Sequence, residues 1–163
     1  MNGEAAIDRA APADLDAILA LLRRSKLPVD GLAAHLATTL AARIGGRIVG
    51  SAALEMYDDG ALLRSVAVDP DVRGRGIGRL LTNAAFRLAR DRRVPAVYLL
   101  TTTAEEYFPR YGFERIERGS VPPGVRTSVE FASACPSTAI VMRSILETES
   151  TAQPERPGGS RNR

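Results

Sequence analysis

The sequence is poor in residues that bind metals or form cross-links. Cys135 is its one cysteine and His35 its one histidine. A lone cysteine excludes an internal disulfide, and the two together fall short of the nitrogen and sulfur ligands of a zinc site, so no metal is expected. Of the 22 basic residues only Lys26 is a lysine, so each arginine needs its own argument. A net charge of +3 is too small to imply nucleic acid by itself. No apolar run approaches the roughly 20 residues that span a bilayer. The start, "MNGEAAIDRAAPADLDAILALL", carries acidic residues in an amphipathic pattern, unlike a secretory signal. The expectation is a cytoplasmic protein without nucleic-acid or membrane partners.

What is present fits one globular domain. The chain has 163 residues, 45% of them hydrophobic and 25% charged, long enough for a full core and too short for two ordinary domains. Leu15, Ile18, Leu19 and Leu22 recur on one helical face after Pro12 and Asp14. "LPVDGLAAHLATTL" suggests a break and a second short helix from about Gly31 to Thr39. Gly45-Gly46 between two β-like runs is a hairpin signal. "ALLRSVAV" reads as a strand. A helix follows, with a stripe of Ile77, Leu80, Leu81, Ala84, Ala85 and Leu88, ended by Pro95. "AVYLLTTT" is a buried strand, "AEEYFPRYGFERI" a short helix ended at Gly112 and leading into a strand, and "TAIVMRSIL" a last strand. The folded domain is placed at 1–146. Beyond it, "ETESTAQPERPGGSRNR" is polar and aperiodic, which predicts a disordered tail over 147–163. Helices, a hairpin, then alternating strands and helices give an α/β (α+β) domain of three layers.

The densest chemistry lies in "VDPDVRGRGIGRLL", Val68 to Leu81, with Gly74, Gly76 and Gly78 between a strand and a helix. Glycines there let backbone N–H groups converge on an anion, and the helix N-terminus adds partial positive charge. A Walker loop needs Lys and then Ser or Thr after its last glycine, but Arg79 and Leu80 follow Gly78. The G-x-G-x-G spacing also departs from the dinucleotide fingerprint.

The segment Arg73 to Gly78, "RGRGIG", resembles the pyrophosphate loop Q/R-x-x-G-x-G/A of the GNAT superfamily of acyl-CoA-dependent N-acetyltransferases. The preceding strand ending in Ala-Val, the Asp-Pro and the Arg-Leu-Leu helix resemble it too, as does "YFPRYGF" downstream, so residues 61 to 114 carry the likeness. It implies a mixed, mostly antiparallel sheet with splayed central strands, here Leu62–Val68 and Ala96–Thr101, flanked by helices. Acetyl-CoA would be the co-substrate. Val66, Ala67 and Val68 would hold its pantetheine arm, Arg73, Gly74, Arg75, Gly76, Ile77, Gly78 and Arg79 its phosphates, and Thr101 and Phe108 would line the cofactor wall. The Val68 N–H would donate to the thioester oxygen as it becomes an oxyanion. Many family members pair as homodimers, which makes a second copy of the chain a candidate partner.

Acetyl transfer to an amine requires the amine to lose a proton and the departing thiolate to gain one. The family often supplies the second from the tyrosine of Y-x-x-x-G-F, a position held here by Phe108. Tyr111 lies one turn on, whereas helical geometry turns Tyr107 about 100° from Phe108. Glu55, near a strand end, is the candidate base acting through water; its alternative is a solvated carboxylate. His35 is expected to pack.

A narrower likeness rests on "LPVDGL", "ALLRSVAV", "LLTTTAEEYF" and "EFASACPSTAIVM". Together these resemble the arsenic-resistance-associated N-acetyltransferases and, more loosely, the acetyltransferase domain of N-acetylglutamate synthase. That resemblance implies a small-molecule amine substrate with acidic groups, and Arg64 and Arg126 become candidates for binding its carboxylate or oxyanion. Trivalent arsenic prefers several thiolates, so Cys135 is expected as a buried, small apolar residue.

Overall fold

The structure, a computed structural model, describes residues 3–146. The tail expected to be disordered, 147–163, lies outside the described residues. Seven strands form one sheet in the order β1-β2-β3-β4-β5-β7-β6. β2 (Thr39–Ile44) and β3 (Arg47–Tyr57) form the expected hairpin. Gly45 and Gly46 stand at φ of 59° and 81°, the left-handed pair that a two-residue turn matching the strand twist requires. β4 (Gly60–Val68) continues antiparallel to β3, and β5 (Ala96–Thr101) pairs along its whole length with β7 (Ile140–Ile145), which carries β6 (Glu114–Ile116) at the edge.

Both faces of the sheet are covered. α2 (Ile77–Asp91) buries Ile77, Leu81, Ala85, Phe86 and Ala89 against Leu54, Leu63, Val97 and Leu99. On the other face α1 (Leu15–Arg24) packs Ile18, Leu21 and Leu22 onto Ala53 and Ala67. The connection between β6 and β7 adds Val121 and Val125 to that second layer, over Leu62, Ala96 and Tyr98. Neighbouring residues such as Ala53 and Leu54, or Leu62 and Leu63, thus serve opposite cores, as the pleat requires.

Several local expectations change. The stretch expected as a second helix is a run of tight 3-10 turns over Leu32–Thr38, broken at His35. The α2 stripe is rotated: Leu80 is 46% exposed while Phe86 and Thr82 are buried. β1 (Ala6–Arg9) was not expected, because its exposed, edge-paired residues carry no apolar alternation.

The feature that builds the site is a failure of pairing. β4 and β5 run parallel and pair only at Ala61 with Val97 and Leu62 with Tyr98. Beyond those positions they diverge. On its other side β4 carries one extra residue against β3, between the pairs Ala53–Arg64 and Ser51–Ala67. Ser65 takes up that bulge at φ 60°, an unusual conformation for a residue with a Cβ. The Ser51 hydroxyl, donating to the Ser65 carbonyl at 2.7 Å, holds it there.

Candidate active site

A cleft of about 650 Å³ fills the splay. Leu63, Val66 and Val68 line it from β4, and Leu99, Leu100 and Thr101 from β5, so two facing strand edges meet no partner strand there. Such edges offer backbone hydrogen bonds to an extended ligand. Ala67, expected beside them, turns its side chain to the α1 core instead, since it falls on the opposite side of the pleat.

At the mouth of the cleft the glycine loop behaves as its sequence suggests. Asp69 starts it by accepting the Asp71 N–H at 2.9 Å and is held by Arg47 and Arg24. The Asp71 N–H and these arginines outweigh the cost of burial and hold the Asp69 carboxyl below the usual range. Gly74 and Gly76 sit at φ of 85° and 77°, with open space where a Cβ would stand. Gly76 caps α2 and makes no side-chain cap, so the helix's first N–H groups have no capping side chain among the described residues and are left to an anion. Gly78 faces the cleft, and a Cβ there would come within 3.1 Å of the Tyr107 hydroxyl and 3.8 Å of Val68 Cγ2. A phosphate chain fits this cradle of bare backbone and positive charge. Arg73, Arg79, Arg110 and Arg64 line the cleft, and no carboxylate does among the described lining residues. Ile77 lines it as well; Arg75, expected on the phosphates, is exposed outside it. Arg73 Nε also donates to the Val68 carbonyl at 3.3 Å, tying the loop to the end of β4.

The far wall is aromatic. Phe108 is buried and lines the cleft. Tyr107 and Tyr111, four residues apart, also line it, with their hydroxyls 2.6 Å from each other. Burial first, and the hydrogen bond with Tyr111 second, push the Tyr107 hydroxyl up to about 12. The segment is not the helix expected to turn Tyr107 away from Phe108 but a single 3-10 turn, Phe108–Tyr111, capped by Tyr107 and ended by Gly112 at φ 87°, and Tyr107 and Phe108 both line the cleft. Thr101 Oγ1 accepts the N–H groups of Ala104 and Thr103 and so shapes the turn below these rings.

On the substrate side a charge cluster replaces what was expected of Glu55, Arg64 and Arg126. Glu55 is buried, not solvated. It accepts from Tyr57 Oη at 2.5 Å and Arg64 Nη1 at 2.9 Å, and His35 Nε2 lies 3.7 Å away. Burial alone would raise its pKa, but the hydrogen bonds from Tyr57 and Arg64 outweigh it and hold the carboxyl low. Arg64 lines the cleft floor, yet its nitrogens are engaged by the protein. Nη1 also donates to the Asp30 carbonyl at 2.7 Å, Nη2 to the Pro28 carbonyl at 3.3 Å, and Nε to Ser65 Oγ, with Glu130 Oε2 3.3 Å from Nε. Geometry makes Arg64 the tie that fixes the 28–31 loop and the β6–β7 connection to β4. Arg126 is exposed on the turn Val125–Thr127, outside the cleft.

Glu130 escaped the sequence reading because nothing near it signals a buried acid. It starts a wide helical turn, Glu130–Ala134, and burial raises its pKa. Cys135 is not an apolar filler. Its thiol is 3.6 Å from Glu130 Oε1, and burial first, then that carboxylate, push it up to about 12.

Comparison with known proteins agrees with this geometry. The family model for the acetyltransferase (GNAT) domain matches residues 35–115, from the turns before β2 through the glycine loop to β6. An amino-acid acetyltransferase of Mycobacterium tuberculosis is 35% identical over 117 residues, 71% of this chain. The chain spans 63% of that protein's length. An N-acetyltransferase of Chlorobaculum tepidum is 30% identical over 125 residues, 74% of this chain and 78% of that one. Among solved structures, a Mycobacterium tuberculosis protein in complex with CoA superposes with a TM-score of 0.73 at 26% identity, covering 87% of this chain and 99% of that one. The splayed seven-stranded sheet is the acyl-CoA N-acyltransferase fold, and the chain belongs to the GNAT acetyltransferases.

Proposed function

We propose that the chain transfers the acetyl group of acetyl-CoA to the α-amine of a small acidic amino acid or analogue, as a detoxifying enzyme of the arsenic-resistance type. The observation that carries the reading is one continuous cleft. It runs from the bare N-terminus of α2, along the unpaired edges of β4 and β5, to Arg64 on the substrate side. The similarity to an amino-acid acetyltransferase supports the substrate class.

In this reading Gly74, Gly76 and Gly78 admit the phosphates to the backbone, with Arg73 and Arg79 beside them. The pantetheine arm lies between β4 and β5 as an added strand. The Val68 N–H polarises the thioester carbonyl, and the C–N bond forms as the C–S bond breaks. The departing thiolate takes its proton from the Tyr107–Tyr111 pair, with Tyr111 the partner nearer the face vacated by the missing tyrosine, and the proton that the nitrogen sheds as the amide forms returns to that pair through water. That pair favours turnover over a non-catalytic acyl-CoA sensor. Glu55, walled off by Arg64, acts by positioning and not as the base that meets the amine. No described carboxylate or imidazole lines the cleft, so the amine enters as its free base or gives its proton to water.

The test is CoA release from acetyl-CoA with glutamate, aspartate, a phosphinate amino acid and an arsenical amino acid, using Cys135→Ser to exclude reaction of the protein thiol with the reagent. Preference for the phosphinate or arsenical supports detoxification, and turnover on glutamate alone makes the enzyme biosynthetic. Acetyl-CoA binding without turnover on any of the four rejects this substrate class.

A further inference from the structure

The arginines that line the cleft differ in what the protein leaves of them for a ligand. Arg64 is engaged at all three nitrogens by the fold itself. Arg73 has its Nε on the Val68 carbonyl and belongs to the glycine loop, and Arg79 belongs to the first turn of α2. Arg110 comes from the opposite wall, and it is held more firmly than an exposed arginine usually is.

That hold follows from the local fold. Tyr107 caps the 3-10 turn Phe108–Tyr111, and Arg110 lies three residues on. In a winding of three residues per turn, side chains at i and i+3 stand one above the other. The Arg110 Cζ sits over the Tyr107 ring, 4.3 Å from its centroid, and its Nε donates to the Tyr107 carbonyl at 2.7 Å. An aromatic face and a carbonyl together fix the guanidinium plane without using its outer edge. The Nε bond is the one hydrogen bond of this side chain among the described residues. Nη1 and Nη2 are therefore left for a ligand, and a fixed fork of N–H donors suits a phosphate, which arginine grips two-pronged.

The same ring sets the direction. Tyr107 reaches across to α2, where a Cβ at Gly78 would stand 3.1 Å from its hydroxyl. Arg79 from α2 and Arg110 from the turn both bear on that hydroxyl, pulling its pKa down against the stronger effect of burial. The uncapped N–H groups of α2 thus form one wall of the cleft mouth, and Arg110, seated on Tyr107, stands on the other. We propose that Arg110 holds the pyrophosphate of acetyl-CoA from the wall facing the glycine loop, with the Tyr107 ring as its platform. The inference needs the cofactor but not the identity of the amine, so it stands or falls apart from the substrate reading above.

The experiment measures dissociation constants of the wild type, Arg110→Met and Arg110→Lys for three ligands. These are CoA, dephospho-CoA (which lacks the ribose phosphate but keeps the pyrophosphate) and pantetheine, which has no phosphate. Calorimetry serves for the first two, and displacement of CoA for the third. Arg110→Met should weaken CoA and dephospho-CoA alike, about 10- to 100-fold, as expected for loss of a charged two-pronged contact. Pantetheine should change far less. Arg110→Lys should recover part of the loss on the two phosphate-bearing ligands, since it keeps the charge and loses the planar fork. Without ligand, Arg110→Met should melt within a few degrees of wild type, because methionine still covers the Tyr107 ring and only one exposed hydrogen bond is lost. Equal losses on all three ligands, or a ligand-free melting temperature many degrees lower, would make Arg110 a packing residue and overturn the proposal. A loss on CoA that vanishes on dephospho-CoA would move Arg110 to the ribose phosphate and overturn it too. A wild type that binds neither CoA nor dephospho-CoA would instead overturn the cofactor assignment, and this inference with it.

Discussion

Tyr107 and Tyr111 bring their hydroxyls to 2.6 Å across one turn, beside the first residues of α2. Phe108 between them occupies the position where a tyrosine would reach the cleft by itself. The pair restores a proton donor at that wall by another route. Replacing Tyr111 with phenylalanine should lower kcat roughly 10- to 100-fold with little change in KM for acetyl-CoA. Tyr107→Phe should do the same, and the double variant should be little worse than either single, because the two hydroxyls act as one unit. Additive losses in steady-state kinetics would show independent roles.

Because the Tyr107 hydroxyl is pushed up to about 12 against an ordinary value of 10.0, Tyr107 stays protonated through the neutral range. With no carboxylate or imidazole among the described residues lining the cleft, the pH dependence of kcat/KM should come from the substrate's own amine. It should climb roughly tenfold per pH unit until that amine is mostly neutral, and shift with the pKa of the amine chosen. A rising limb fixed near pH 6 for every substrate would show a base on the enzyme.

Gly78 offers a cleaner test of the phosphate cradle than its neighbours. A side chain at Gly74 or Gly76 would be forced into a left-handed conformation, at about 1–2 kcal/mol, and would confuse folding with binding. Gly78 has no such constraint, and its added methyl would point at the Tyr107 hydroxyl in the cleft. Gly78→Ala should weaken acetyl-CoA at least about tenfold by calorimetry while its melting temperature stays within a few degrees of wild type. The glycine is needed for the ligand's approach, not for the turn.

The sequence was most legible where local chemistry and tertiary need coincide. The Gly45-Gly46 turn, the strand Ala96–Thr101 and the glycine loop were all readable, because left-handed glycines and apolar runs have few alternative uses. The charge cluster was not. Glu55 and Glu130 are 75 positions apart in number, and only the bulge at Ser65 and the β6–β7 connection bring them onto Arg64. An acidic residue in a strand pattern reads as solvated until its partner is known. Arg64 could be recognised as unusual for a buried strand, but whether it faced a ligand or two carboxylates was a question of topology.

That topology sets what Arg64→Met should do. A lost substrate contact would raise one KM and spare the fold. Here the change strands two buried carboxylates and frees the loop carbonyls of Pro28 and Asp30. Breaking such a buried cluster on one side costs about 3–5 kcal/mol, so the variant should melt on the order of 10 °C lower. Adding Glu55→Gln and Glu130→Gln should recover much of the loss, since it removes the stranded charges. A stable Arg64→Met with only a raised substrate KM would return Arg64 to direct substrate binding.

The two carboxylates should also separate by pH, because their shifts oppose each other. Glu55 is held below its ordinary value of 4.5, so its ionised form favours the fold. Its contribution is fully present above about pH 4.5 and disappears as pH falls through its lower folded value. Glu130 is raised by burial, so its neutral form favours the fold; its contribution is full below about 4.5 and fades as pH rises through the raised value. At pH 7 Glu55→Gln should therefore be the more damaging substitution, and its deficit should shrink as the pH falls below about 4.5. Glu130→Gln should behave oppositely, costing least at pH 7 and relatively more in acid. Melting temperatures of both variants from pH 3 to 8 decide this, and parallel curves would mean that Arg64 treats the two carboxylates as equivalent.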